Sequence, residues 1–227
     1  MESTTSMTTS LVSYIWLVVG ACVLKALGFN ARAVDLVFFV LVLVTMFVVY
    51  SAIMKVRCGE TALGPVFQAT FGPWLFMLGG IMLILYVFPG WRQPFSNTFG
   101  YMVILFPMIG AKQKLLDLLV PSSSIDRIVK NPSLMLNEFS GSTFDDTIKK
   151  LQGENIVRAD ANVADFKKII LLKETIADSV WYILVGCVAV TTSFNVLMNY
   201  TCQKKSTLNE VLPEVPEEPV TKYIITD

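Results

Sequence analysis

Four apolar runs in this chain are each long enough to cross a bilayer, and no other feature narrows the choice of fold so far. A hydrocarbon core of ~30 Å takes about 20 helical residues. The run Ala33–Met54 reaches that length with Asp35 as its one charge, and its centre reads LVFFVLVLVTMFVVY. Leu11–Leu27 precedes it, Phe71–Phe88 follows, and Ile176–Tyr200 closes the series. The first run is read as a retained span over 11–28, because no Lys or Arg precedes Lys25 and a secretory signal needs a basic start. Gly28–Arg32 is too short to do more than turn the chain, so the first two spans form a tight antiparallel hairpin. Trp74, Tyr86 and Trp91 bracket the third run, and Trp181, Tyr182 and Tyr200 the last, where amphipathic rings favour the headgroup level. The expectation is an all-α integral membrane protein with spans near 11–28, 33–54, 71–88 and 176–200. Both termini then lie on one side of the membrane.

The remaining segments divide by composition. Residues 1–10 form a polar N-terminus, and Lys55–Thr70 a polar loop. Phe99–Gly110 is apolar but short, and extending it to Val120 would bury Lys112, Lys114 and Asp117. A charge at a helix centre costs about 2.5–3.5 kcal/mol on the insertion scale, so residues 89–120 are read as a membrane exit followed by a re-entrant or interfacial segment. KQKLLDLLVP, residues 112–121, suits a short amphipathic helix along the surface. Residues 121–175 are a polar insert with helical patterns at Ser124–Lys130, Thr143–Leu151 and Val163–Lys173. About 55 residues are marginal for an independent core, so the insert is expected to need the membrane or a partner. Residues 201–227 are Pro/Glu-rich and read as an extended tail.

Hydrophobic residues make up 54% and charged residues 16%, and Lys+Arg equal Asp+Glu at 18 each, so no net charge draws the chain to nucleic acid. There is no histidine, which removes the commonest general base and metal ligand together. Ser122–Ser124 have no base partner, and Asp145–Asp146 are explained as the acidic first turn of a helix. No glycine-rich phosphate loop occurs, and no enzymatic activity, metal or cofactor is expected. Cys22 and Cys187 lie inside apolar runs and Cys58 and Cys202 just beyond them, with no CxxC spacing. The default reading is four free thiols. Lys25 and Asp35 flank the hairpin turn at similar depth, where they can pair or reach the headgroups, and Asp178 begins the last span in the same way. Four basic residues near the span ends on one side against five on the other do not orient the protein.

Two groups of residues stand out. Gly79 and Gly80 in the third span, and Gly186, Ala189 and Ser193 on one face of the fourth, are small enough to let helices approach and are read as bundle packing. The second group is the stretch FPGWRQPFSNTFGY, residues 88–101. Pro89 stops the preceding helix, Trp91 anchors at the interface, Pro94 is expected to keep the chain extended, and Ser96 or Asn97 to cap the next helical piece. Because proline-fixed aromatics lose little entropy on binding, Pro89, Trp91, Arg92, Pro94, Phe95, Asn97, Phe99 and Tyr101 are candidates for partner binding, with Trp91 and Phe95 as anchors.

This stretch, placed after a glycine-containing span and before a polar insert and another span, resembles the transmembrane minor capsid proteins of nucleocytoplasmic large DNA viruses, the algal and giant viruses. The resemblance covers residues 70–110. It implies a structural protein of the virion's internal membrane, holding the bilayer against an icosahedral shell. Its partners would be lipid, capsid or other minor capsid proteins, and further copies or other membrane proteins, with no nucleic acid. It also implies residence in a host-derived, endoplasmic reticulum-like membrane during assembly, with 89–175 facing the shell. Two other classes stay open: a small channel or transporter, and a cellular membrane-shaping or trafficking protein. The first would need polar groups at mid-membrane, where only Thr45, Thr191, Thr192 and Ser193 occur.

Overall fold

A computed structural model describes residues 2–59, 62–120 and 130–202. Its helices are α1 (Glu2–Ala26), α2 (Ala31–Cys58), α3 (Leu63–Val87), α4 (residues 93–104), α5 (Ala111–Leu118), α6 (Ser133–Leu136), α7 (Phe144–Gly153) and α8 (Val163–Asn199). The chain is an all-α protein, and α1, α2, α3 and α8 are long and apolar enough to span a membrane. The helical pattern at 124–130 and the tail fall almost wholly outside the described residues.

Helix boundaries follow local chemistry. Asn30 accepts hydrogen bonds from the amides of Arg32 (3.0 Å) and Ala33 (3.2 Å) and so starts α2. Gly59, with φ of 75°, ends it and returns its amide to the Lys55 carbonyl. The third span begins eight residues earlier than its apolar run suggested. Pro65 sits in the first turn, where its missing amide is not needed, and the buried Thr70 hydroxyl donates to the Val66 carbonyl. Pro73 falls within α3 and removes one amide, and the helix widens to a π-type turn over Trp74–Gly79. The expected division between insert and span at 175 is absent. No glycine or proline interrupts residues 163–185, so one helix runs from Val163 to Asn199.

Charged groups at both ends of the spans set the depth. Asp178 and Met198 are separated by about 20 residues of α8, or about 30 Å, the thickness of a hydrocarbon core. Lys25, Asp35 and Arg92 cluster at the Asp178 level, while the Arg57 guanidinium donates to the carbonyls of Leu197 and Met198 at the other. Between these levels the bundle centre is filled: Tyr14, Val42, Met46, Tyr50, Trp74, Leu78 and Ala189 are fully buried. The buried residues of α2 (Val34, Phe38, Val42, Met46, Tyr50, Met54) recur every fourth position. That spacing turns the buried face by about 200° over the span, so α2 meets different neighbours along its length. Leu36, Val40, Val44 and Val48 face outward, as lipid-exposed side chains do.

The half of α8 before Asp178 stands outside this slab and organises a second core. Phe139, Phe144 and Phe166 form an aromatic triad with ring centroids 5.1–5.9 Å apart, joined by Ile104, Leu115, Leu118, Ile148 and Ile170. The apolar face of α5 is turned inward, with Ala111, Leu115 and Leu118 buried in this core. Residues 130–162 pack by borrowing apolar surface from α4, α5 and α8, which is how so few residues of their own suffice.

Candidate functional site

At the outer-module end of the bundle, four charged side chains converge from four segments. Lys25 of α1 lies 2.7 Å from Asp35 Oδ1 of α2 and 3.1 Å from Asp178 Oδ2 of α8. Arg92, just after α3, reaches Asp178 Oδ1 through Nε at 2.6 Å. The Tyr182 hydroxyl donates to Asp35 Oδ1 at 3.0 Å, and the Lys25 ammonium sits 5.4 Å from the Tyr182 ring centroid. The Lys25 and Asp178 side chains are only 4% and 9% exposed, so each depends on the others for solvation. Pairing of Lys25 with Asp35 is legible from their depth. The joining of both to Asp178 and Arg92 is not, because it depends on how α8 and the exit of α3 pack.

Residues 88–101 do not leave the membrane as an extended strap. Pro89–Arg92 form a 3-10 turn, and Pro94 occupies the first turn of α4, where proline favours helix rather than opposing it. Ser96 and Asn97 are therefore inside a helix and cap nothing. α4 climbs along α8, away from the bilayer. Phe95 meets Trp181 edge-on at 4.8 Å, and Gly100 reaches Lys173 one helical stage further out. A side chain on Gly100 would collide with the Lys173 carbonyl, so only glycine permits this crossing. At 12 residues α4 is too short to span a bilayer.

The candidate binding residues separate into two sets. Arg92, Phe95, Asn97 and Tyr101 are engaged internally: Arg92 in the charge cluster, Phe95 on Trp181, Asn97 as acceptor for Lys173 at 3.0 Å, and Tyr101 against the outer core. Pro89, Trp91, Pro94 and Phe99 face outward. Trp91 is 51% exposed although its carbonyl accepts from Trp181 Nε1 at 2.9 Å, and Phe99 is 50% exposed. Phe88 and Met102 are exposed as well. Of the two anticipated anchors, Trp91 is presented outward and Phe95 is half-buried as internal packing.

Lys173 carries no signal in the sequence beyond its place in an amphipathic pattern. It is 1% exposed and donates to the carbonyls of Leu136 (2.8 Å) and Phe139 (3.3 Å). Its neighbour Glu174 accepts from the Ser140 hydroxyl (3.0 Å) and the Gly141 amide (2.8 Å). Together they fix the 136–141 turn to α8, and with it the outer module to the span.

The small residues are unequal. Gly186 abuts the Tyr14 ring, Ala189 is fully buried, and Ser193 donates to the Ala69 carbonyl at 2.7 Å where α8 crosses α3. Gly79 faces the Phe39 ring, whereas Gly80 has open space where a side chain would be and makes no close approach.

The reading of four free thiols is corrected on the opposite side of the membrane. Cys58 at the end of α2 and Cys202 after α8 form a disulfide, while Cys22 and Cys187 are free. Each lies just beyond a span, and the Arg57 contacts to the Leu197 and Met198 carbonyls hold the end of α2 against the end of α8. The bridge closes a loop of 144 residues. The non-reduced chain should therefore run ahead of the reduced one on a denaturing gel, and Cys58→Ser should abolish the difference and lower stability by about 2 kcal/mol, the low end for disulfides because inserted spans are already restricted. Equal mobility with and without reductant would contradict the bridge.

No family model matches the chain, and no characterised protein or solved structure is significantly similar to it.

Proposed function

We propose that this chain is a structural protein of a large DNA virus, a minor capsid protein that holds the internal virion membrane against the icosahedral shell. The observation that carries this reading is the exposure of Phe88 just after α3, Trp91 on the 3-10 turn, and Phe99 and Met102 on α4, which packs against the last span at Gly100. Aromatic side chains on a helical support bury large area at low entropic cost, as interface anchors do. The FPGWRQPFSNTFGY resemblance points the same way. Neither catalysis nor a cofactor enters this role.

The disulfide supports an orientation that charge did not supply. Disulfides persist in oxidising compartments, so Cys58, Cys202 and the N-terminus face the lumen of a host membrane of endoplasmic reticulum type. Residues 89–175 then face the cytoplasm, where a shell assembles. The filled bundle centre weighs against a conduction path through one copy of the chain.

Trp91→Ala combined with Phe99→Ala should leave insertion and melting unchanged and reduce retention in assembled shells at least tenfold, the effect of losing about 1.4 kcal/mol or more of anchor energy. Quantifying the protein in purified particles checks this. Absence of the wild-type chain from particles, or crosslinks from shell components to the Cys58–Cys202 side, would overturn the proposal.

A further inference from the structure

A cavity of about 480 Å³ opens beside the charge cluster, between α2, α3 and α8, and its lining includes Arg32, Asp35, Met82, Tyr86, Arg92 and Tyr182. Its depth is that of the headgroups, since Asp178 and Arg92 border it and the hydrocarbon slab begins there. Three cations and two carboxylates meet around it. Lys25 and Arg92 are committed to Asp35 and Asp178, which leaves Arg32 as the surplus charge. Among the described residues Arg32 makes no ion pair, and its guanidinium lies 5.3 Å from the Tyr86 ring centroid. Asp35 is only half used. Tyr182 donates to Oδ1, which is also the oxygen nearest Lys25; among the described residues no hydrogen bond reaches Oδ2, and the side chain is 24% exposed.

Arg32 and Asp35 are three residues apart on α2 and therefore share a face, with Cβ atoms about 5–6 Å apart. They could pair with each other. Instead Arg32 turns to Tyr86, so a free guanidinium and a free carboxylate oxygen border one space. That arrangement is complementary to a small zwitterion. A phosphate accepts from a guanidinium in a charge-assisted bond, and a primary ammonium donates to a carboxylate. Below the cavity the outward Leu36, Val40 and Leu83 give acyl chains an apolar path down the bundle surface.

We propose that this cavity binds the phosphoethanolamine headgroup of an aminophospholipid, its phosphate on Arg32 and its ammonium on Asp35 Oδ2. A choline headgroup has no N–H to donate to Asp35. A phosphatidylglycerol headgroup has no cation for it. The site is independent of the viral reading and rests on the membrane placement alone.

The test is native mass spectrometry of the full chain released from detergent containing equal amounts of dioleoyl phosphatidylethanolamine, phosphatidylcholine and phosphatidylglycerol. Wild-type protein should retain one phosphatidylethanolamine about tenfold over either competitor, the discrimination expected of one charge-assisted hydrogen bond. Arg32→Gln should lower that retention about tenfold. Arg32 is exposed and outside the ion cluster, so this variant is expected to melt with the wild type. Asp35→Asn should erase the preference for ethanolamine over choline. Equal retention of the three lipids, or unchanged retention by Arg32→Gln, would overturn the site. Displacement of the lipid by millimolar glycerophosphoethanolamine would instead assign the cavity to a soluble phosphoester and overturn the lipid assignment.

Discussion

Replacing Asp178 with leucine should lower the stability of the folded bundle by about 3 kcal/mol, the low end of the cost of breaking a buried ion pair. Within the bundle-end cluster Asp178 bridges two cations, Lys25 at 3.1 Å and Arg92 at 2.6 Å. Without it Arg92 loses its partner but is near enough to the surface to reach water. Lys25 is held at 4% exposure and keeps only Asp35. That remaining bond is why the low end applies. Asp178→Asn keeps an acceptor in place and should cost clearly less. Lys25→Met combined with Asp178→Leu should be non-additive, with a coupling of about 1–3 kcal/mol, because the two groups touch. Unfolding in bicelles, followed by circular dichroism, measures all three. A loss below 0.5 kcal/mol for Asp178→Leu would mean that water already screens the cluster.

Gly186→Val should be comparably damaging, at about 3 kcal/mol, the upper part of the overpacking range. A Cβ at this position would fall within the Tyr14 ring. The ring is not free to move aside. Its hydroxyl donates to the Tyr182 carbonyl at 2.6 Å, its face meets Trp74 at 5.0 Å and Phe38 at 6.2 Å, and no part of it is exposed. Relief therefore requires α1 to part from α8, which opens the bundle along its length. Gly186→Ala should show a smaller loss in the same direction. Tyr14→Ala alone should cost about 3–5 kcal/mol through the cavity it leaves, yet Tyr14→Ala with Gly186→Val should cost less than the sum. Additive losses would show that the two residues do not share one contact.

Much of the fold is legible in the residue order. Apolar runs the length of a bilayer, separated by polar segments, leave helices as the economical structure in lipid. The four helices long and apolar enough to span a membrane follow from that. Boundaries were less legible because apolarity and helicity are different properties. Residues 63–70 carry Gly64, Pro65, Gln68 and Thr70 next to a polar loop, but Thr70 satisfies its own hydroxyl within the helix and Pro65 falls where proline is tolerated. Pro94 misled for the same reason, since a proline in a first helical turn and one in an extended strap look alike in sequence. Lys173 shows the opposite case: a lysine in an amphipathic helix is ordinarily solvated, and only the closing of 136–141 over it makes it a buried donor.

What the sequence determined by itself is a set of choices made within one segment: which stretches enter lipid, where a turn must occur, and which residues are small enough for close packing. Tertiary structure decided everything that joins segments distant along the chain. It coupled Cys58 to Cys202, placed Lys25, Asp35, Arg92 and Asp178 in one cluster, and stood α4 against α8 so that Trp91 and Phe99 face outward while Phe95 does not. The physical reason is range. Transfer into lipid is a sum over the residues of one helix, whereas an ion pair, a disulfide or a helix crossing depends on the relative rotation and depth of two helices, and that is set by packing after both have inserted.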